Sequence, residues 1–294
     1  MAQDHTTSPA HIKTRFLICS DTHGIDNLPG FIPFADVAIH CGGLITQSQL
    51  HEYKASIRLL QAIDALLKLV IAGNHDFTMD IPMFRKKVSE AQSLERKLVE
   101  QAYGYDGEAR RLFEGTGITF LDEGVHYLHL QNGALLTVYA SHNFMIHGGI
   151  DTNAVDVIMT HGPPKGIMDY TQSGERAGSP DLFRALARAR PRPRMHCFGH
   201  IHEGWGAKLI TWRNRITPIP SHLMDIDNCQ SLPIAKLSDM KDRAGQSLDG
   251  DGVPMKYFAT SHCSGDTHPL SWGSQTLFVN VSIEGLPQDI NDQK

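Results

Sequence analysis

Short apolar runs that end in polar, glycine-rich turns recur along the first half of the chain. Residues 15–20 form the first run, residues 35–40 the second and residues 69–72 the third. Asp21, Gly42–Gly43 and Gly73 follow them in that order. Apolar runs of this length between turn residues are typical of strands that are buried on both faces. The pattern therefore predicts a sheet of buried strands with polar loops at their ends.

A helix is predicted between the second and third strands. Apolar residues recur there at steps of three or four, as expected for one buried helix face: Leu50, Tyr53, Ile57, Leu60, Ile63 and Leu67. Thr46, followed three residues later by Gln49, predicts a capping box at its start. A further helix, with a charged, solvated face, is predicted after Pro82.

The second half of the chain is predicted to begin with antiparallel strands. Gly, Asp and Asn turn residues separate apolar runs at 119–121, 125–130 and 135–139, which favours hairpins. Ser179 and Pro180 predict the cap and first position of another helix. Four further apolar runs predict buried strands: 155–159, 195–198, 209–212 and 276–283.

These elements predict a single domain over residues 15–284. A chain of 294 residues, 41% of them hydrophobic and 20% charged, is long enough to bury a large core. Residues 213–270 are rich in Pro, Ser, Gly and Asp and predict a partly irregular insertion. A flexible segment is expected at residues 1–14 and a tail at 285–294.

Composition narrows the classes of partner. The formal net charge of -5 gives no overall footprint for nucleic acid or for an anionic membrane, although it does not exclude a local basic patch.

No apolar run is long enough to span a bilayer, and the first residues lack the apolar core of a signal peptide, so a cytoplasmic location is expected. The five cysteines lack CxxC spacing, which argues against a disulfide framework or a thiolate zinc site.

Candidate metal ligands follow the predicted strands. The ligand-bearing turns carry oxygen and imidazole groups and no thiolate: Asp21 and His23, Asn74 and His75, His161, and His200 and His202. Loops at the carboxyl ends of strands in an open α/β sheet face one crevice, so these groups are expected to meet. Oxygen and imidazole ligands suit Mn, Fe or Zn, and paired metals activate water for attack on a phosphoryl group.

Each turn also has an ordinary structural interpretation. Asp21 and His23 could cap a turn, because Asp is common after strands, and His161 could be a loop histidine with satisfied hydrogen bonds. The pair His200 and His202 is a weak signal by itself among 17 histidines. The recurrence of such turns after successive strands favours a metal site over these interpretations.

Four blocks, taken in order, resemble the calcineurin-like metallophosphoesterase superfamily. They are Asp21-x-His23, Gly73-Asn74-His75-Asp76, Thr160-His161-Gly162-Pro163-Pro164 and Gly199-His200-Ile201-His202-Glu203-Gly204. The last two are similar to the small metallophosphoesterase-domain proteins of animals, fungi and bacteria. The resemblance covers about residues 15–212 and the closing strand. It implies an α/β fold, a four-layer α/β/β/α sandwich with two mixed β-sheets, and a two-metal phosphoesterase centre.

The resemblance also implies roles for individual residues. One metal would be held by Asp21, His23 and His202, and the other by Asn74, His161 and His200. His75 would donate a proton or orient the phosphate, and Asp76 would orient His75. The implied substrate is a small phosphoester, most simply a phosphodiester; no nucleic-acid or membrane partner is expected, and the oligomeric state is open.

The chain departs from the family pattern at three places. Gly43 stands where relatives have an aspartate that bridges both metals, so the second metal should be weakened most. The segment between Tyr139 and Asp156 is shorter than usual, which predicts a changed pocket wall. Ser179 stands where the family has cysteine.

Three functional hypotheses follow from the Gly43 departure. The first is a phosphoesterase of low efficiency, with water, His40 or His142 as a substitute ligand. The second is a mononuclear two-His-one-carboxylate site with different chemistry. The third is a catalytically impaired member that binds or regulates.

Overall fold

The strands form two sheets. The computed structural model of the protein describes residues 12–26, 28, 32–91, 95–142, 155–239 and 257–282. The strand order is β1-β2-β3-β4 in the first sheet and β10-β9-β11-β8-β7-β6-β5 in the second. The predictions for most of the N-terminal segment, for the C-terminal tail, for the pocket wall at 143–154 and for the middle of the insertion at 240–256 lie outside the described residues.

The first sheet is parallel at every pairing. Its strands are β1 (Phe16–Cys19), β2 (Ala35–His40), β3 (Ala65–Val70) and β4 (Thr119–Phe120). The first two confirm the sequence prediction. The third begins earlier than predicted, because Leu67 pairs with Val37 in the sheet and does not extend the preceding helix.

The helix between β2 and β3 is α1 (Leu50–Ala62), which buries Tyr53, Ile57 and Leu60 as its spacing predicted. The predicted cap at Thr46 is wrong, because Gln49 caps the helix and forms the box with Glu52. The described residues between Ile81 and Arg111 form three short helices: α2 (Ile81–Glu90), α3 (Arg96–Tyr103) and α4 (Glu108–Arg111).

The second sheet is mixed. Its strands are β5 (Gly124–His129), β6 (Leu135–Ser141), β7 (Val157–Thr160), β8 (Met195–Phe198), β9 (Gly206–Thr211), β10 (Leu232–Lys236) and β11 (Gln275–Asn280). β5 and β6 are antiparallel, as predicted, but the predicted antiparallel strand at 119–121 is β4, which pairs in parallel with β3 in the first sheet. β6, β7, β8 and β11 also pair in parallel. β10 lies inside the predicted irregular insertion and pairs with β9, so that segment is more ordered than its composition indicated.

Alternating residues on the strands divide the core into layers. Val37 and Ile39 of β2 face the second sheet, where Val138 and Val157 pack against them, while Ala38 faces α1. The outer face of the second sheet is covered by α5 (Pro180–Arg188), whose N-cap Ser179 accepts a hydrogen bond from Leu182 N. The result is the expected α/β/β/α sandwich, except that the first sheet is wholly parallel and not mixed.

The polar turns identified in the sequence lie at the carboxyl ends of parallel strands. β1, β2 and β3 lead into them in the first sheet, and β7 and β8 do so in the second. A bridge between Ser20 and Ser282 brings the ends of β1 and β11 together, so the two sheets meet at this edge. None of the helices in the described ranges is long and apolar enough to cross a membrane.

Candidate metal centre

A cavity of about 330 Å³ opens where the two sheets meet. Its lining contains Thr46 and most of the site residues that the sequence singled out: Asp21, His23, Asn74, His75, His200 and His202. His161 is buried beside it, with Nε2 2.6 Å from Asn74 Oδ1. The structure therefore brings the predicted ligands together, and it adds Thr46, which the sequence pattern indicated only as a helix cap.

Asp21 is the buried carboxylate of the cavity, with 3% of its surface exposed. Its Oδ2 accepts hydrogen bonds from His200 N at 2.9 Å and from Ser282 Oγ at 2.8 Å. Burial alone would raise the pKa of Asp21, but the electrostatic interaction with His161 and these hydrogen bonds outweigh burial and lower it. The carboxylate is therefore held in its ionised form, which is the form that binds cations.

The other oxygen of Asp21 faces two imidazoles. Oδ1 lies 4.0 Å from His23 Nε2 and 3.9 Å from His202 Nε2. The three ligand atoms lie within 4.8 Å of one another. Because metal–ligand bonds in such sites are about 2.1 Å, two ligands of one ion lie at most roughly 4.2 Å apart. The two distances from Asp21 meet this condition, so Asp21 can share a divalent ion with each of the two imidazoles.

The tautomers of the cavity histidines also fit this assignment. His23 Nδ1 lies 3.4 Å from Ile45 O, and His75 Nδ1 lies 2.9 Å from Thr46 O. We assign the proton to Nδ1 in both, because a carbonyl can only accept a hydrogen bond. Nε2 then carries the lone pair, which is the arrangement by which a backbone carbonyl orients a metal-binding imidazole.

The second predicted ligand set lies next to the first. His161 Nδ1 faces Cys41 O at 2.9 Å, and the rings of His161 and His200 are 5.0 Å apart between centroids. Burial lowers the pKa of His200 to about 4, which keeps the imidazole neutral and able to ligate. Both ring nitrogens of His161 therefore face oxygen atoms, and a cation bound by Nε2 and Asn74 Oδ1 would replace the proton that joins these two atoms in a hydrogen bond.

Comparison with known proteins agrees with this geometry. The sequence profile described as calcineurin-like phosphoesterase matches residues 14–204. The chain belongs to this family.

Three similar proteins each match about two thirds of the chain. Human metallophosphoesterase domain-containing protein 1 is 29% identical over 214 residues, which cover 66% of this chain and 62% of the human protein. A UPF0046 protein of Caenorhabditis elegans is 27% identical over 229 residues, covering 70% and 55%. A probable rhamnogalacturonate lyase C of Emericella nidulans is 28% identical over 212 residues, covering 67% of this chain and 18% of that protein. The match thus spans less than two thirds of each of these relatives.

The backbone is closely packed around Gly43, the position where the sequence resemblance predicts a bridging aspartate in relatives. Its φ is +68°, and a Cβ atom built on it would lie 2.5 Å from Asp21 Oδ1. A Cβ atom on Gly73 would lie 2.3 Å from Gly43 N. The loops after β1, β2 and β3 therefore approach one another more closely than side chains at these positions would allow.

The two histidines considered as substitute ligands do not line the cavity. His40 is 1% exposed and its Nε2 lies 3.0 Å from Thr22 Oγ1, beneath the loop that carries Asp21. His142 Nε2 lies 3.3 Å from Asp80 Oδ2, at the start of α2. Neither position supports the substitution hypothesis for the missing aspartate.

Asp76 is buried behind the cavity and holds its loops. Oδ2 accepts hydrogen bonds from Gly43 N at 2.9 Å, Leu44 N at 3.2 Å and Gly73 N at 2.7 Å, and Oδ1 accepts one from Ile45 N at 3.2 Å. Burial raises the pKa of Asp76, and the backbone hydrogen bonds oppose that rise. The hydrogen bonds described for its side chain are all with the backbone, so Asp76 would influence His75 by fixing the loops at residues 43–46 and 73–76.

Proposed function

We propose that this calcineurin-like phosphoesterase hydrolyses a small phosphodiester with the help of one or two divalent ions of the Mn, Fe or Zn class. The observation that supports this most is the ionised Asp21 carboxylate beside His23 and His202 in a cavity that the family fold builds. A bound divalent ion would polarise a phosphoryl oxygen and lower the pKa of a water molecule that attacks phosphorus.

The charge of the cavity favours a diester over a monoester. The residues that line it include one carboxylate and four imidazoles but no lysine or arginine among the described positions. A phosphomonoester carries close to two negative charges at neutral pH and a diester carries one. The second charge of a monoester would have no cationic side chain to pair with here.

His75 is the proposed proton donor to the leaving oxygen. Its Nδ1–H donates to Thr46 O, so Nε2 is directed towards the cavity that it lines, and the form that donates to the leaving oxygen is the imidazolium, which carries a proton on Nε2 as well. A positioned imidazole of this kind contributes about 100-fold or more to such a reaction. Asp76 is a positioning residue, because it fixes the loop up to Ile45 that precedes the Thr46 carbonyl.

We infer that the two ligand sets differ in strength. Asp21 gives the set with His23 and His202 a full negative charge, whereas Asn74, His161 and His200 supply only neutral ligands. With Gly43 contributing no side chain, the second ion is bound more weakly. The cytoplasmic location of the protein stays a prediction from the sequence.

A second candidate function is favoured by the same group of residues. Two imidazoles and one carboxylate are also the ligands of mononuclear non-haem iron sites. If the weaker set stays empty, the centre would be of this kind and its chemistry need not involve phosphate. A member that binds a metal and catalyses nothing is the remaining alternative.

An esterase assay of metal-stripped protein, reloaded with Mn, Fe(II) or Zn, distinguishes these candidate functions. We expect hydrolysis of bis-p-nitrophenyl phosphate to exceed that of p-nitrophenyl phosphate and to require the added ion. His75→Gln should reduce kcat by about 100-fold with unchanged metal content, and His129→Gln, exposed on β5, should change neither. A protein that takes up the ion and leaves both esters intact would support the alternatives, and one that takes up no ion would exclude all metal-dependent functions.

A further inference from the structure

The charge of the chain is unevenly distributed. Between Leu182 and Met224 the only acidic residue is Glu203, although the whole chain has a formal net charge of -5. The same segment contains eight basic residues: Arg184, Arg188, Arg190, Arg192, Arg194, Lys208, Arg213 and Arg215. Arg184 is paired with Asp181 and Arg194 with Asp156, and Arg192 is buried over Trp212. Arg188, Arg190, Arg213 and Arg215 are exposed.

Loop 213–224 lies against the end of α5, so these arginines share one surface. Arg188 Nη2 donates a hydrogen bond to Pro218 O at 3.0 Å. The ring of His222 lies 6.4 Å from that of Phe183, which is part of α5. The loop and the residues at the C-terminal end of α5 together form what we call the arginine loop face: residues 188–190 and 213–224.

Three large apolar side chains project from this face into solvent. Ile219 is 77% exposed, Leu223 is 68% exposed and Met224 is 55% exposed. A single exposed apolar residue needs no explanation, but three within six positions beside four exposed arginines form an amphipathic surface. None of the three lines the metal cavity.

The loop is held in this conformation by a buried carboxylate. Asp225 is 1% exposed and accepts hydrogen bonds from Thr217 N at 2.7 Å, Thr217 Oγ1 at 2.8 Å and Ser221 N at 2.8 Å. Arg213 N donates to Asp225 O at 2.9 Å. Because the loop is already ordered, binding through it would require little loss of conformational entropy.

We propose that the arginine loop face docks the protein peripherally on an anionic lipid surface. Ile219, Leu223 and Met224 would enter the boundary between headgroups and acyl chains, and the exposed arginines would contact lipid phosphates. A nucleic acid would match the arginines but would leave the aliphatic side chains in water, so charge and apolarity together favour lipid. The sequence-based expectation of no membrane partner relied on the net charge of the whole chain, which does not show a local basic patch such as this one.

The proposal is tested by sedimenting the full chain with vesicles of phosphatidylcholine alone and of phosphatidylcholine mixed with phosphatidylserine. Binding should need phosphatidylserine and should decrease with salt. Arg213→Gln should weaken it about fivefold. Leu223→Ser should weaken it about tenfold, because the leucine no longer enters the bilayer.

Matched variants on another surface are the controls. Leu98→Ser on α3 replaces a leucine that is 61% exposed, and Arg111→Gln replaces an exposed arginine at the end of α4. Neither should alter vesicle binding, and thermal unfolding should show all four variants folded. Absence of binding to mixed vesicles, equal losses in test and control variants, or tighter binding to a single-stranded oligonucleotide than to vesicles would overturn the proposal.

Discussion

A Cβ atom at residue 43 would lie 2.5 Å from Asp21 Oδ1, which at the scale of single residues gives Gly43 a packing role besides the predicted loss of a ligand. The sequence indicated that Gly43 removes a bridging carboxylate, and a return to aspartate would then be expected to strengthen the second metal. The structure argues against that simple repair. Residue 43 has φ of +68° and touches both Asp21 and Gly73, a relationship between three loops that no sequence spacing reveals.

Substitution of Gly43 by alanine tests this packing. Gly43→Ala should destabilise the fold and weaken metal binding, because its Cβ displaces the Asp21 carboxylate. Gly115→Ala is the control, since Gly115 also has positive φ, at +72°, but has nothing within 4 Å of a Cβ. The control should cost about 1–2 kcal/mol of unfolding free energy from backbone strain alone. Equal effects of the two variants on stability and on metal titration would contradict the account.

His196 provides a test that is independent of the metal. It is fully buried, its Nε2 lies 2.8 Å from Thr160 Oγ1, and burial lowers its pKa from 6.5 to about 3. As the pH falls below 6.5, the unfolded chain takes up a proton that the folded chain does not, so stability present at pH 7 is lost towards pH 3.

The expected size of this effect is about 1 kcal/mol of unfolding free energy between pH 7 and pH 5.5. His196→Phe should remove that share of the pH dependence, measured by denaturant unfolding at both pH values. His129→Phe on β5 controls for the substitution itself. An unchanged difference between the two pH values in His196→Phe would show that His196 is protonated in the folded state.

At the scale of elements, the strands were easier to predict than their boundaries. The runs at 15–20, 35–40 and 195–198 are strands, because apolar residues between turn residues leave few other arrangements. Leu67 fitted the helical spacing of α1 equally well, yet pairing with Val37 places it in β3. The cap at Gln49 was missed because Thr46 offered the commoner signature, whereas Glu52 completes the box from within the helix.

Asp76 connects the loops after β2 and β3, and its removal should affect both. Asp76→Asn replaces a carboxylate that accepts four backbone hydrogen bonds with an amide that places a donor against backbone donors. We expect a loss of about 2–4 kcal/mol of unfolding free energy and a fall in kcat through the displaced Thr46 carbonyl.

The matched control for this change is Asp80→Asn. Asp80 caps α2 through Met83 N, and asparagine serves as an N-cap about as well as aspartate. The control should therefore lose less than about 1 kcal/mol and keep its turnover. A similarly small loss in Asp76→Asn would mean that the backbone holds the loops without the carboxylate.

At the scale of the whole molecule, the metal centre depends on the meeting of two sheets. Asp21, His23, Asn74 and His75 come from the first sheet, and His161, His200 and His202 come from the second. The sequence supplied the ligand types, and the family resemblance supplied their grouping. The contacts of Asp21 with Ser282 and of His161 with Cys41 join residues far apart in the chain and required the fold.

The central claim is that Asp21, His23 and His202 hold a divalent ion that is needed for ester hydrolysis. The most direct test measures metal content, metal affinity and turnover of bis-p-nitrophenyl phosphate in the same preparations. The proteins compared are wild type, Asp21→Asn and the control Asp122→Asn, whose carboxylate is exposed. We predict about one firmly held ion in wild type and control, and affinity at least about 100-fold weaker in Asp21→Asn with turnover lost in parallel. Full metal content and full turnover in Asp21→Asn would contradict the claim.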